Sequence, residues 1–221
     1  YQALTDLERI ENSNQDAREI YNIILDYVDT RAIGLREGVD LYAQIIQANG
    51  GPNSTSASKS VLIMLIDEAT ALRISPIVLG DAYSRMMLAE NGADQAAENL
   101  RIVLNEAQAN SVDPILALDT FTALLEESGP NATDEVRRVF SEFITIRRVS
   151  IDKAIRDYKA IAVLENGADD AMSNYRLVLD AAARPSVRYR DALDAMVQLL
   201  RDHGANATST VQRKFRDIFR L

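Results

Sequence analysis

The apolar residues of this chain recur at intervals of three and four, which is the spacing of one face of an α-helix. No segment shows the sustained two-residue alternation that is typical of a half-buried β-strand. The pattern therefore predicts an all-α fold. Two of the clearest apolar stripes are Ala96, Leu100, Val103, Leu104 and Ala107, and then Ala117, Leu118, Phe121, Leu124 and Leu125.

The pattern of the whole chain also repeats, with a period of 75 residues. Between 90–146 and 165–221 the residues are identical at 25 of 57 positions without a gap. A more diverged copy precedes them at an offset of 78 to 79 residues, and the extra residue falls at Gly50-Gly51. Because self-similarity at a fixed period is the signature of repeat architectures, the chain is interpreted as three copies of one unit.

We predict three tandem four-helix repeats, called here sequence repeat 1 (1–74), sequence repeat 2 (75–149) and sequence repeat 3 (150–221). A unit of this length is near the size at which a lone core is marginal, so neighbouring repeats are expected to share surface in an elongated or gently superhelical array. Tyr83 and Tyr158 occupy matching places in the first helix of repeats 2 and 3. Each either contacts the preceding repeat or is an ordinary core residue.

The composition excludes several kinds of chemistry. The chain has no cysteine, which rules out disulfides, thiolate zinc sites and thiol nucleophiles. Its single histidine, His203, lies in a predicted turn and is expected to be an exposed turn residue rather than a base or a ligand. The sequence contains no glycine-rich phosphate loop, paired-histidine zinc helix or calcium loop, so neither a cofactor nor a metal site is predicted.

One aspartate recurs in every repeat, at positions 40, 119 and 194. Arg138 and Arg213 recur in step with Asp119 and Asp194, which suggests an ion pair inside each repeat, although Ser60 fills the arginine position in repeat 1. One carboxylate per repeat favours a structural role over catalysis. The pairs Glu90-Asn91 and Glu165-Asn166 are likewise interpreted as helix ends rather than as acid–base pairs.

Three aligned Asn-x-Ser/Thr triplets begin at Asn53, Asn131 and Asn206. Each is a formal acceptor for an N-linked glycan if the chain passes through a secretory route. The same residues also suit a turn before a helix, with Thr133 or Thr208 as the N-cap. We favour the capping interpretation, and glycosylation stays the alternative.

The formal net charge of −9 disfavours binding to nucleic-acid phosphates. No window approaches the roughly 18 consecutive apolar residues of a membrane-spanning helix. Repeat 1 has six basic and eleven acidic residues, whereas repeat 3 has twelve basic and ten acidic ones. The final helix could therefore meet an acidic repeat of another copy head to tail, or could simply face solvent. Its basic residues are Arg213, Lys214, Arg216 and Arg220.

These observations favour a non-enzymatic structural or interaction protein in a larger assembly, such as an extracellular layer or a virus-like particle. An extracellular or virion-associated location is accordingly favoured over a cytoplasmic one. One alternative is a carrier that holds an apolar ligand between helices. Its lining would be Tyr83, Met86, Met87, Ile161 and Ala162. A second alternative is a hydrolase that uses only carboxylates, which requires two acids converging in one cleft.

Overall fold

The computed structural model describes residues 2–90, 93–128, 132–145, 150–165 and 167–221. Within these ranges the chain forms twelve α-helices and no β-strand, so the all-α prediction is confirmed. The helices are α1 (Gln2–Ile10), α2 (Asn14–Asp29), α3 (Leu35–Ala48), α4 (Thr55–Leu72), α5 (Pro76–Ala89), α6 (Ala93–Asn110), α7 (Pro114–Ser128), α8 (Thr133–Thr145), α9 (Ile151–Ala162), α10 (Ala168–Ala182), α11 (Tyr189–His203) and α12 (Thr208–Phe219).

The helices are grouped into two compact units, Tyr1–Asn105 and Glu106–Leu221. In the first unit α1 packs on α2 and α3, and α5 packs on α3 and α4. In the second unit α9 packs on α7, α8, α10 and α11, while α12 packs on α10 and α11. The boundary lies inside α6 and thus inside sequence repeat 2, because α5 packs with the helices before it and α7 and α8 pack with those after it.

Helical periodicity located the buried faces well. All ten residues of the two apolar stripes, in α6 and α7, are at most 2% exposed. The core also contains the large side chains Tyr42, Tyr83, Tyr175 and Phe143, which are fully buried. Burial of such apolar surface is the main source of helix stability in a protein, because short helices are marginal in water by themselves.

The helices α4 and α12 start in the same way. Gly51 (φ 93°, ψ −163°) and Gly204 (φ 76°, ψ 168°) adopt backbone angles that are essentially open only to glycine. Each leads through a three-residue 3-10 turn into the helix, at Thr55 and Thr208. Both threonines have helical backbone angles and Ala207 occupies the N-cap, so the prediction that Thr208 is an N-cap is wrong.

Helices α2 and α3 pack closely at Gly38. A Cβ atom at this position would lie 2.6 Å from Cγ2 of Ile24. The 75-residue period matches this pair with Ala117 and Val103 in repeat 2 and with Ala192 and Val178 in repeat 3. A larger residue on one helix therefore accompanies a smaller residue on the other, as dense packing requires.

We expect Gly38→Ala to lower the free energy of unfolding by about 1–3 kcal/mol through overpacking. Alanine favours a helix more than glycine does, so propensity alone predicts the opposite sign. In an Ile24→Ala background, which lacks the Cγ2 atom that the new methyl group would meet, the same substitution should be about 1 kcal/mol less destabilising. Urea unfolding of the four proteins measures both values, and equal effects in the two backgrounds would contradict the size matching.

Candidate functional site

A glutamate follows the first helix of each sequence repeat: Glu11 and Glu90 come directly after α1 and α5, and Glu165 lies three residues beyond the end of α9. Glu11 and Glu90 are only 7% and 6% exposed, and Glu165 is half-buried. A carboxyl group that has lost water needs hydrogen-bond donors from the protein. The surroundings of these three glutamates therefore show what the recurring polar residues do.

The first donor to the glutamate is a threonine at the start of the fourth helix. The hydroxyl of Thr55 donates to Glu11 Oε2 at 2.7 Å, and that of Thr208 donates to Glu165 Oε2 at 2.9 Å. Each bond joins the end of the first helix to the beginning of the fourth. The threonine of the Asn-x-Ser/Thr region thus has a structural use that is neither an N-cap nor a glycosylation signal.

Oε1 of each of the three glutamates accepts a hydrogen bond, and its donor lies on a different helix in repeat 1 than in repeats 2 and 3. On Glu11 the donor is a tyrosine of α3, whereas on the other two glutamates it is an asparagine of the second helix. The donor–acceptor pairs are Tyr42–Glu11, Asn99–Glu90 and Asn174–Glu165. Burial and the hydrogen bond to Glu11 raise the pKa of Tyr42, which keeps this phenol a protonated donor.

Each repeat has a donor at one of these two positions of the period and a side chain that cannot donate at the other. Repeat 1 has Ile20 where the other repeats have the asparagine, and it supplies Tyr42 instead. Repeats 2 and 3 have Phe121 and Met196 at the position of Tyr42, and neither side chain can donate. The interpretation as a helix end is confirmed for Glu90, the C-cap of α5, whereas Glu165 lies beyond the C-cap of α9, and Asn91 and Asn166 are outside the described residues. That interpretation missed the polar network, whose signal in the sequence is the paired exchange of donors.

A second polar cluster joins α9, α10 and α11 in the second unit. Asp157 Oδ2 accepts from Lys153 Nζ at 2.6 Å and from the hydroxyl of Tyr189 at 2.5 Å. The hydroxyls of Tyr189 and Tyr175 lie 3.1 Å apart, and Lys153 Nζ is 4.3 Å from the centre of the Tyr189 ring. The corresponding positions in repeat 2 are Val78, Ala82, Leu100 and Pro114, so this cluster does not recur there.

The two tyrosines of this cluster are held in the protonated form. Burial and the hydrogen bond to Asp157 raise the pKa of Tyr189. Burial and the charge of Asp157 raise the pKa of Tyr175 to about 12. A phenol that is this hard to ionise is a poor general base near neutral pH. The hydrogen bonds of the cluster link three helices, α9, α10 and α11.

The raised pKa predicts a loss of stability in alkaline solution. The ordinary pKa of a tyrosine is 10.0 and that of Tyr175 is about 12, so its contribution is complete below pH 10 and is lost as the pH rises to 12. Tyr175→Phe should make the free energy of unfolding fall less steeply above pH 10 than in the unmodified protein. Urea unfolding on both sides of pH 10 measures the slopes. The half-buried Tyr21 provides a matched Tyr→Phe control, and equal slopes for Tyr175→Phe and the unmodified chain would contradict the prediction.

The recurring aspartates Asp40, Asp119 and Asp194 are exposed. Asp40 pairs with Arg36 at 2.8 Å and Asp194 with Arg190 at 3.8 Å, in each case with an arginine one turn earlier in the same helix. Such exposed pairs contribute little to stability, because water and salt screen the two charges.

The arginines that the period pairs with these aspartates, Arg138 and Arg213, are also exposed. The pairings Asp119–Arg138 and Asp194–Arg213 stay predictions. The other basic residues of the final helix, Lys214, Arg216 and Arg220, are exposed as well.

Of the three formal glycan acceptors, Asn53 and Asn206 are exposed in the 3-10 turns, and Asn131 lies outside the described residues. Asn53 Oδ1 accepts a hydrogen bond from Asn12 at 3.2 Å. Glycosylation stays a prediction. His203 is exposed at the end of α11, with Nε2 at 2.9 Å from Lys214 Nζ.

The sequence leaves two roles open for Tyr83 and Tyr158, a core residue or a contact to the preceding repeat. Both tyrosines have both roles. The hydroxyl of Tyr83 donates to Asn49 Oδ1 at 2.6 Å. The ring of Tyr158 meets that of Phe143 edge to face, with centroids 5.2 Å apart. Tyr83 is 0% exposed and Tyr158 is 2% exposed. Both residues therefore help to join successive sequence repeats.

Surface concavities occur within each compact unit among the described residues. One, of about 550 Å³, surrounds the start of α12 and is lined by polar residues that include Asp170, Ser173 and Gln212. Another, of about 440 Å³, lies between α4 and α6 beside Ser60 and Arg101. Neither is lined by any of the five residues that the apolar carrier would use. The carrier and the hydrolase both stay hypotheses.

Among the described residues, no three histidine, aspartate or glutamate side chains come together as a metal site would require. A helix with the length and apolar character to cross a bilayer is not found in that part of the chain either. Comparison of the chain with known protein families, curated proteins and solved structures gives no match. Its function has to be argued from its own residues.

Proposed function

We propose that this chain is a non-enzymatic structural or interaction protein built from three tandem four-helix repeats, 1–74, 75–149 and 150–221. The order of helices supports this arrangement. Counting along the described chain, α1, α5 and α9 take the first place, and α4, α8 and α12 take the fourth. Each of the fourth helices begins at a threonine.

The observation that carries the proposal is that the glutamates keep their hydrogen bonds although one of the donors comes from a different helix in repeat 1. Glu11 and Glu165 each accept a threonine hydroxyl on one oxygen, while a second donor comes from one of two alternative helices. A catalytic carboxylate needs one oxygen free to reach a substrate. Here both oxygens are used to join helices, so what recurs between copies preserves the shape of the repeat.

Repetition of a shape without a reactive centre is typical of proteins that present an extended binding surface or that build larger structures. The polar cluster at Asp157 supports the same interpretation, because its tyrosines are poor bases and its lysine is engaged with a carboxylate. An extracellular layer or a virus-like particle is the kind of assembly that we propose, with protein as the partner.

The proposal is tested on native material. We expect the chain to sediment as part of a particle much larger than its own 24.5 kDa, and to cross-link reproducibly to defined neighbouring proteins. Recovery of the native chain as a free monomer that cross-links to no protein would contradict the proposal. A crystal structure in which the three segments fail to superimpose would contradict the repeat arrangement separately.

A further inference from the structure

We propose that the exposed face of α11 and α12 binds α1 of a second copy of this chain. The contact would reproduce the packing of α5 on α3 and α4, and of α9 on α7 and α8, within one chain. This inference rests on the proposed function and identifies the partner as another copy, joined head to tail.

The first observation concerns Leu65, Phe143 and Ile218, which occupy the same position of the fourth helix in the three repeats. Leu65 in α4 and Phe143 in α8 are both 0% exposed, and Phe143 meets Tyr158 of the following first helix. The corresponding residue of α12 is Ile218, which is 57% exposed. The position keeps an apolar side chain in α12, and none of the described helices covers it there.

The third helix shows the same difference. In repeat 1, Leu41 and Gln44 lie under α5, because a Cβ atom at Gly80 would come within 2.5 Å of Leu41 Cδ1 and 2.9 Å of Gln44 Oε1. The corresponding residues of α11 are Ala195, which is half-buried, and Gln198, which is exposed. α11 and α12 therefore offer together the surface that a first helix covers elsewhere.

We expect α1 of a second copy to fit this surface, because α1 is the first helix of repeat 1 as α5 and α9 are of repeats 2 and 3. Its Leu4 corresponds to Tyr83 and Tyr158, the residues that join successive repeats. Both tyrosines are buried, whereas Leu4 is half-buried. An apolar residue of the right register is thus available on α1 to meet Ile218 of another copy.

Charge favours the same pairing. Repeat 1 has an excess of five acidic residues over its basic ones, and repeat 3 has an excess of two basic residues. Arg213, Lys214 and Arg216 are exposed on α12 and outnumber its exposed Asp217, which directly precedes Ile218. Opposite charges steer the two ends together and disfavour the joining of like ends. Because the two surfaces differ, the contact is heterologous and can propagate along a row of copies or close into a ring.

The test uses the full chain in sedimentation velocity over a wide range of concentration, at low and at high salt. We expect association that grows with concentration and weakens in high salt. Ile218→Asp should raise the dissociation constant at least about tenfold, as expected for a central apolar contact. The matched control is Val163→Asp, which places the same charge on a residue that is 70% exposed in another part of the chain. It should leave association unchanged.

A mixture of two variants identifies the head-to-tail geometry. Ile218→Asp and Leu4→Asp each damage a different end, so the two proteins mixed should form dimers through their intact ends and should not grow further. Circular dichroism of each variant checks that the fold is kept. A wild-type chain that stays monomeric, or an Ile218→Asp chain that associates as wild type does, would overturn the inference. Either result leaves the proposed function standing, because an assembly with a different protein would still appear in native material.

Discussion

Phe143→Ala is expected to lower the free energy of unfolding by about 3–5 kcal/mol, since it removes a fully buried aromatic side chain. The ring lies 5.2 Å from that of Tyr158 and 5.7 Å from that of Tyr175, measured between centroids. The substitution therefore leaves a cavity where α8, α9 and α10 meet. Urea unfolding followed by circular dichroism measures the change.

The chain supplies a matched control for this experiment at Ile218, the same position of the period in α12. Because Ile218 is 57% exposed, Ile218→Ala should lower the free energy of unfolding of the monomer by less than about 1 kcal/mol. High salt and low protein concentration keep self-association out of the measurement. Similar losses at the two positions would mean that Ile218 is covered in the monomer, which contradicts the structure.

Tyr42→Phe is expected to lower the free energy of unfolding by about 1.5–3 kcal/mol, because it removes a buried hydrogen bond to a carboxylate and leaves that oxygen without its donor. The ring itself is retained, so little packing is lost. This single change converts the helix-three position of repeat 1 to the phenylalanine found at Phe121 in repeat 2.

The donor can then be moved to its place in the other repeats. Ile20→Asn in the Tyr42→Phe background should be about 2 kcal/mol less destabilising than Ile20→Asn in the unmodified chain, because only the first case offers the amide a free carboxylate oxygen. Ile20→Leu is the matched control, since leucine is similar to asparagine in shape but cannot donate. The absence of coupling for asparagine, or equal coupling for leucine, would show that the donors are not interchangeable.

Helix positions and core residues could be predicted from the sequence because both follow from local spacing. A stripe such as Ala96, Leu100 and Val103 marks a buried face wherever the helix is placed, and the structure buries all three residues. The start of α12 is harder to assign. The sequence pattern predicts Thr208 as the cap of the helix, but the 3-10 turn after Gly204 places it one residue inside.

The polar network was less accessible to sequence reasoning because its partners are distant in the chain. Thr208 donates to a residue 43 positions away and Tyr42 to one 31 positions away. The repeats contained a signal, since the exchange of Ile20 and Tyr42 for Asn99 and Phe121 is compensated. Only the coordinates show that both exchanged positions point to one carboxyl group.

The sequence by itself determined the helical class and the internal period of this protein, because local spacing and self-similarity are properties of the chain that need no third dimension. The tertiary structure alone decided which carboxyl groups are buried, which donors reach them, and that Ile218 lies open to solvent while its counterpart Phe143 is covered. Those outcomes depend on which helices come together, and residues at equivalent positions in the sequence differ wherever the neighbouring helix differs.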